Sequence, residues 1–236
     1  MNENLELPKK KVKALRKSPK NMVIYGPPKI GKTSALASLD GCLILDLEDG
    51  SDMVDALKIK ANNLNELSQI GQSILKEEKP YKYIAVDTIT QLELWCESEA
   101  KVLYRNTPMG KNFDRSEKGL SVLSLPNGAG YLYLRMAYKK WLNRLNSLAD
   151  HVILVGHLKD RVIEKKGKEV TAGDLDLTGK IRGITCANAD AIGYIFREED
   201  KTMISFDAGQ DINAGSRCSH LKGQVMELDW TNIFID

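Results

Sequence analysis

Nine consecutive residues carry the most specific chemistry in the chain: Gly26, Pro27, Pro28, Lys29, Ile30, Gly31, Lys32, Thr33 and Ser34. They match the pattern GxxxxGK[ST]. In that pattern the glycines let the backbone curl until successive N–H groups face a bound phosphate. The helix that follows turns the positive end of its dipole toward the same anion. Lys32 is placed to reach the β- and γ-phosphates, and the Thr33 hydroxyl to ligate Mg²⁺. The expected ligands are therefore ATP or a related nucleotide, and Mg²⁺. No NKxD-type guanine motif occurs, which disfavours GTP. Lys29 faces nucleotide, a neighbouring subunit or solvent, and the pattern does not choose among these.

Two carboxylates stand where they could complete such a site. Tyr83–Val86 is an apolar run that ends in Asp87, a suitable holder of the Mg²⁺ shell. The next residue is Thr88, not an acid, so a water-activating base must come from elsewhere. Glu48, in Leu45-Asp46-Leu47-Glu48-Asp49-Gly50, ends the strand that follows the loop helix. Strand C-termini converge on the ligand crevice of a doubly wound sheet, and a carboxylate there can deprotonate water. The competing reading is a surface acidic turn closed by Gly50. Asp46 and Asp49 are weaker candidates for the same role.

These residues need a scaffold that brings strand ends together. Short apolar runs recur at Met22–Tyr25, Cys42–Leu47, Tyr83–Val86, Val152–Val155, Ala191–Phe196 and Met203–Phe206, as expected of strands buried on both faces. Helical patterns lie between them at Thr33–Leu39, Leu64–Lys76, Gln91–Tyr104 and Tyr131–Leu148. The alternation predicts an α/β fold with a doubly wound, mostly parallel sheet. Residues 1–20 read as a basic N-terminal arm and 21–236 as one domain. Arg105–Gly130 and Lys159–Gly183, rich in glycine, read as long loops, which in compact domains are usually functional. The tail Met226–Asp236, with Trp230 and Phe234, is expected to pack on the core or on a neighbour.

The 236 residues suit a single sizeable core, and 28% charged with 42% hydrophobic residues reads as globular. No apolar run approaches a membrane span, and the basic start lacks the apolar stretch of a secretory signal. Cys42, Cys96, Cys186 and Cys218 form no CxxC pair, which argues against a zinc site and fits a reducing, cytoplasmic setting. A net charge of +2 does not announce nucleic-acid binding, so any such contact must come from local clusters.

The order GPPKIGKTS, LDLEDG, AVDTIT, VILVGH resembles the RecA-like P-loop ATPase fold, over roughly Asn21 to Phe206. More narrowly it resembles phage-encoded NTP-binding proteins that act as single-strand annealing recombinases. The resemblance implies Glu48 as catalytic glutamate, Asp87 as magnesium aspartate, and His157 as a polar γ-phosphate sensor. A satisfied strand-end histidine is the alternative for His157. It also implies a basic residue supplied by a neighbouring subunit, for which Arg217 is the candidate beside the reading of an ordinary surface arginine. Implied partners are single-stranded DNA, further copies of the chain in a ring or filament, and a single-strand binding protein. DNA would lie along Lys159–Arg182, which holds Lys159, Arg161, Lys165, Lys166, Lys168, Lys180 and Arg182 diluted by acids; the alternative is a solvated hairpin around Lys165-Lys166-Gly167-Lys168 with no such role. Arg105, Lys111 and Arg115 with Tyr104 and Phe113 have the composition of a base-stacking platform.

Two other function classes fit the same loop. A small-molecule kinase would transfer the phosphate to an acceptor rather than to water. A nucleotide-switched loader or assembly protein would bind ATP and barely turn it over.

Overall fold

The computed structural model describes residues 9–113, 121–165, 168–209 and 212–235. Residues 1–8 of the basic arm, Arg115, Gly119 and Lys166 lie outside them. The first strand, β1 (Asn21–Gly26), runs into the phosphate loop and helix α1 (Lys32–Ala37). Then follow β2 (Cys42–Asp46), β3 (Lys58–Lys60), α2 (Leu64–Lys76), β4 (Tyr83–Asp87) and α3 (Ile89–Arg105). The second half holds α4 (Ala129–Leu145), β5 (His151–Lys165), β6 (Lys168–Leu175), α5 (Gly179–Asn188), β7 (Ala191–Glu198) and β8 (Lys201–Ser205). It closes with β9 (Gly215–Ser216), β10 (Val225–Glu227) and α6 (Trp230–Ile233).

The main path of the sheet is β10-β8-β7-β1-β5-β4-β2-β3. From β7 to β3 every pairing is parallel, while β8 and β10 add an antiparallel margin. Period-two alternation sends the two sides of each strand to different layers. Val23, Tyr25, Leu45, Val86 and Leu154 join one buried cluster with residues of α2 to α5. Met22, Ile24, Ile44, Ala85 and Ile153 join the other, with Leu36 of α1 and Trp230 and Ile233 of α6. The sheet is thus doubly wound, as the sequence pattern predicts. The tail packs on the core of its own chain: Trp230 Nε1 donates to Ala35 O at 2.6 Å. Burying Trp230 and Ile233 contributes about 1.5–3 kcal/mol per side chain.

Two expectations change. Lys159–Gly183 is not a long loop. β5 continues past the sheet and pairs antiparallel with β6 from Leu158↔Leu175 to Lys165↔Lys168, and α5 follows from Gly179. The charges interleaved with Val162, Ile163, Val170 and Thr171 break the apolar alternation by which a strand is read from sequence. The Tyr104–Phe113 platform is closed to bases. Both rings are buried, 9% and 6% exposed, and meet edge to face at 5.3 Å. Among the described residues no helix is long and apolar enough to cross a membrane.

Candidate functional site

The site gathers at the C-terminal ends of β1, β2, β4 and the sheet portion of β5. Gly26 ends β1 where a Cβ would sit 2.3 Å from Ile195 O, so only glycine lets the loop leave the sheet there. Gly31, at φ +99°, turns the chain into α1 in a conformation that side chains rarely adopt. Lys32 is 7% exposed, and its Nζ donates to Gly26 O at 3.0 Å and Pro27 O at 2.8 Å. The ammonium therefore sits inside the curl of the loop. Burial lowers its pKa, against the opposing pull of Asp87 and Glu48. Pro28, Lys29 and Ser34 are exposed, while Pro27 and Ile30 are half-buried. Lys29, Ile30 and Ser34 border a cleft of about 540 Å³ shared with Arg197, Thr202 and Glu227.

The Thr33 hydroxyl donates to Asp87 Oδ2 at 2.7 Å. Register places Asp87 opposite Asp46 on one side and Val155 on the other. Burial raises the Asp87 carboxyl above the usual range, and Glu48 and Asp46 add to this against the Thr33 hydrogen bond and Lys32. Two hard oxygens in contact fit Mg²⁺, which keeps most of its shell for water and phosphate.

Glu48 is brought to the same place. His157 Nε2 lies 3.0 Å from Glu48 Oε2 and 3.2 Å from Oε1. Thr88 Oγ1 donates to Glu48 Oε1 at 2.5 Å. The Asp87–Thr88 peptide is cis. The acidic turn is built around Asp46, whose carboxylate accepts from the N–H groups of Glu48, Gly50 and Ser51 and from the Ser51 hydroxyl. Burial raises the Asp46 carboxyl, yet the donors from Ser51, Glu48 and Gly50 outweigh it and hold the pKa low. Asp46 is a turn-former rather than a base, because its lone pairs are already taken. Asp49 is directed away, to Lys60 at 3.0 Å.

Lys32, Thr33, Asp87, Glu48 and His157 therefore converge. Arg217 does not join them within its own chain. It lies beside the start of β7, at the other end of the sheet, where its Nη2 donates to Ala187 O at 2.8 Å and its N to Asp190 O at 2.7 Å. Of the cations on the ribbon and its return, Lys159 pairs with Asp176 at 3.1 Å and Arg182 with Asp174 at 2.6 Å.

Sequence reasoning missed Thr88 and Glu93. Thr88 also caps α3, accepting from Gln91 N at 3.3 Å. The spacing Thr88-Ile89-Thr90-Gln91 is a capping-box pattern, so that signal was present. Glu93, 6% exposed, accepts from Thr178 N at 3.1 and 3.0 Å and ties the ribbon's return to α3. Nothing local marks it, since its partner lies 85 residues away.

Three comparisons bear on this geometry. No curated protein sequence matches the chain. Among solved structures it is similar to the crystal structure of the RadB recombinase, at 12% identity, over 92% of this chain and 90% of that one, with a TM-score of 0.43. The AAA domain family matches residues 18–218, from just before β1 through the phosphate loop, Asp87 and His157 to β9. That match spans most of the sequence, and the chain belongs to the AAA domain family of P-loop ATPases.

Proposed function

We propose that this chain binds ATP with Mg²⁺, hydrolyses it, and acts on single-stranded DNA as a homo-oligomer in recombination or strand annealing. The observation that carries the hydrolytic part is Glu48, which Thr88 and His157 hold beside Asp87 and the phosphate loop. Lys32 exchanges the Gly26 and Pro27 carbonyls for phosphate oxygens when nucleotide enters. Thr33 and Asp87 would hold Mg²⁺, which would supply positive charge to the phosphate oxygens. Glu48 orients a water and takes its proton. His157 steadies the carboxylate and links it to the ribbon that β5 becomes. Arg217, with its side chain 65% exposed, is available to a neighbouring copy, where a cation stabilises charge on the γ-phosphate.

One observation favours a second reading. The Glu48 carboxylate already accepts from Thr88 and contacts His157. Lone pairs engaged by neighbours are not free to accept from a water. A slow, nucleotide-switched loader or assembly protein would be built this way. Steady-state ATP hydrolysis with and without single-stranded DNA, at low and moderate salt, separates the two. Stimulation that fades with salt supports the recombination reading. ATP binding without stimulation supports the switch.

A further inference from the structure

The basic segment before β1 is tied to the domain at the pole opposite the phosphate loop. Ser18 Oγ donates to Ile235 O at 2.5 Å. His151 Nδ1 contacts Pro19 O at 2.7 Å, and because a carbonyl only accepts, that nitrogen carries the proton. Lys20 N donates to Asp190 Oδ2 at 2.9 Å. These bonds fix the segment across the starting edges of β1, β5 and β7, about 17 Å of strand from Gly26.

The fixed segment runs between two clefts. One, of about 670 Å³, lies toward Lys82, and its wall is stiffened by Tyr83, His151 and Phe234, packed ring on ring at 4.8–5.2 Å. The other, of about 520 Å³, lies toward Arg217 and Cys218. Residues 9–20 contain Lys9, Lys10, Lys11, Lys13, Arg16, Lys17 and Lys20 and no acid. Arg16, Lys17, Lys20, Lys82 and Arg217 line the clefts, Lys9, Lys10, Lys11 and Lys13 precede them in the chain, and Asp150 and Asp190 are the acids that line the clefts. The chain has 34 basic and 32 acidic residues in all, so the rest of it carries more acid than base. Such asymmetry steers a polyanion to one pole and repels it elsewhere.

We propose that this pole is a binding track for the phosphate backbone of a single nucleic-acid strand, separate from the nucleotide site of the same chain. The cations are strung along a non-helical segment rather than converging on one point, which suits a line of phosphates better than a single anion. The clefts are concave, and residues 9–20 form no helix with an apolar face, so a flat membrane surface fits poorly. The inference deepens the proposed action on single-stranded DNA by naming where the strand lies. It stands on binding alone, whether or not hydrolysis follows.

The test is anisotropy of a labelled oligothymidine strand with the full chain, without nucleotide, at about 50 and 200 mM salt. Wild-type protein should bind with affinity that falls as salt rises. The variant Arg16→Gln/Lys17→Gln/Lys82→Gln should bind at least about tenfold more weakly at low salt, with a salt slope smaller by about two. Its thermal unfolding and ATP binding should match wild type. The charge reversal Arg16→Glu/Lys17→Glu/Lys82→Glu should bind more weakly still, and if it unfolds the glutamine variant gives the answer. Equal binding by the glutamine variant and wild type overturns the track. So does capture by phosphatidylserine vesicles with no binding of the oligonucleotide. Lys32→Ala should bind the strand as wild type does. Strand binding at this pole with no stimulation of hydrolysis would sink the DNA-dependent ATPase reading and leave the track standing.

Discussion

The Thr88 hydroxyl donates to Glu48 Oε1 at 2.5 Å while accepting from Gln91 N at 3.3 Å. One side chain thus begins α3 and aims the carboxylate of β2's end across to the end of β4. Its position directly after Asp87 puts the proposed magnesium aspartate and the holder of the candidate base on one short backbone.

Thr88→Val removes both bonds at nearly constant volume. A hydrogen bond to a charged group contributes about 1.5–3 kcal/mol, so turnover is expected to fall roughly tenfold or more while ATP binding is retained. Loss of the cap lowers stability by about 1 kcal/mol. Thr88→Ser should recover both. Steady-state kinetics with thermal unfolding read the two effects separately, and unaltered turnover in the valine variant removes the positioning role.

Glu48→Gln keeps an oxygen for Thr88 and loses the ability to take a proton. ATP binding measured by calorimetry should persist, with turnover reduced about 10²–10⁴-fold. Turnover close to wild type would put the base elsewhere.

Lys32→Ala deletes the ammonium that sits within the loop. Charge-assisted bonds to phosphate of about 1.5–3 kcal/mol imply a loss of ATP affinity of roughly tenfold to 100-fold, with hydrolysis abolished. Retained hydrolysis would overturn the assignment of the loop.

Asp87→Asn separates binding from stability. Burial first, then Glu48 and Asp46, raise the Asp87 carboxyl. The folded protein therefore holds that proton more tightly than the unfolded chain. Ionisation costs stability above the usual carboxylate pKa, increasingly so until the folded pKa is passed, and below the usual value the cost vanishes. The asparagine variant should melt higher than wild type at pH 7 without ligand, and the gain should shrink as pH falls through the carboxylate range. Its Mg²⁺-dependent ATP binding should be lost. A lower melting temperature at pH 7 would show that the carboxylate is stabilising after all.

The strand ends are legible in the sequence because β2, β4 and the sheet portion of β5 are short apolar runs buried on both faces and closed by a polar residue. Asp87 and His157 both end such runs, and Glu48 lies two residues past the end of β2. Convergence of parallel C-termini then brings them together without further information. Asp46 and Glu48 are not separable that way. Both are acids near one strand end, and only the bonds from Ser51 and Gly50 show that Asp46 is consumed by its own turn. The ribbon reads as loop in the sequence because charges interrupt its apolar alternation. Arg217 shows another limit, since a residue proposed to act on a neighbouring copy leaves no mark in its own chain's site.

β5 carries no break between the sheet and the ribbon. The eight residues from Leu158 to Lys165 reach about 26 Å beyond His157 if extended. At the root, Asp176 N donates to His157 O at 2.9 Å, and Glu93 braces Thr178. The root of the ribbon is the histidine in contact with Glu48, so the ribbon and the carboxylate at the phosphate site are joined through one unbroken strand.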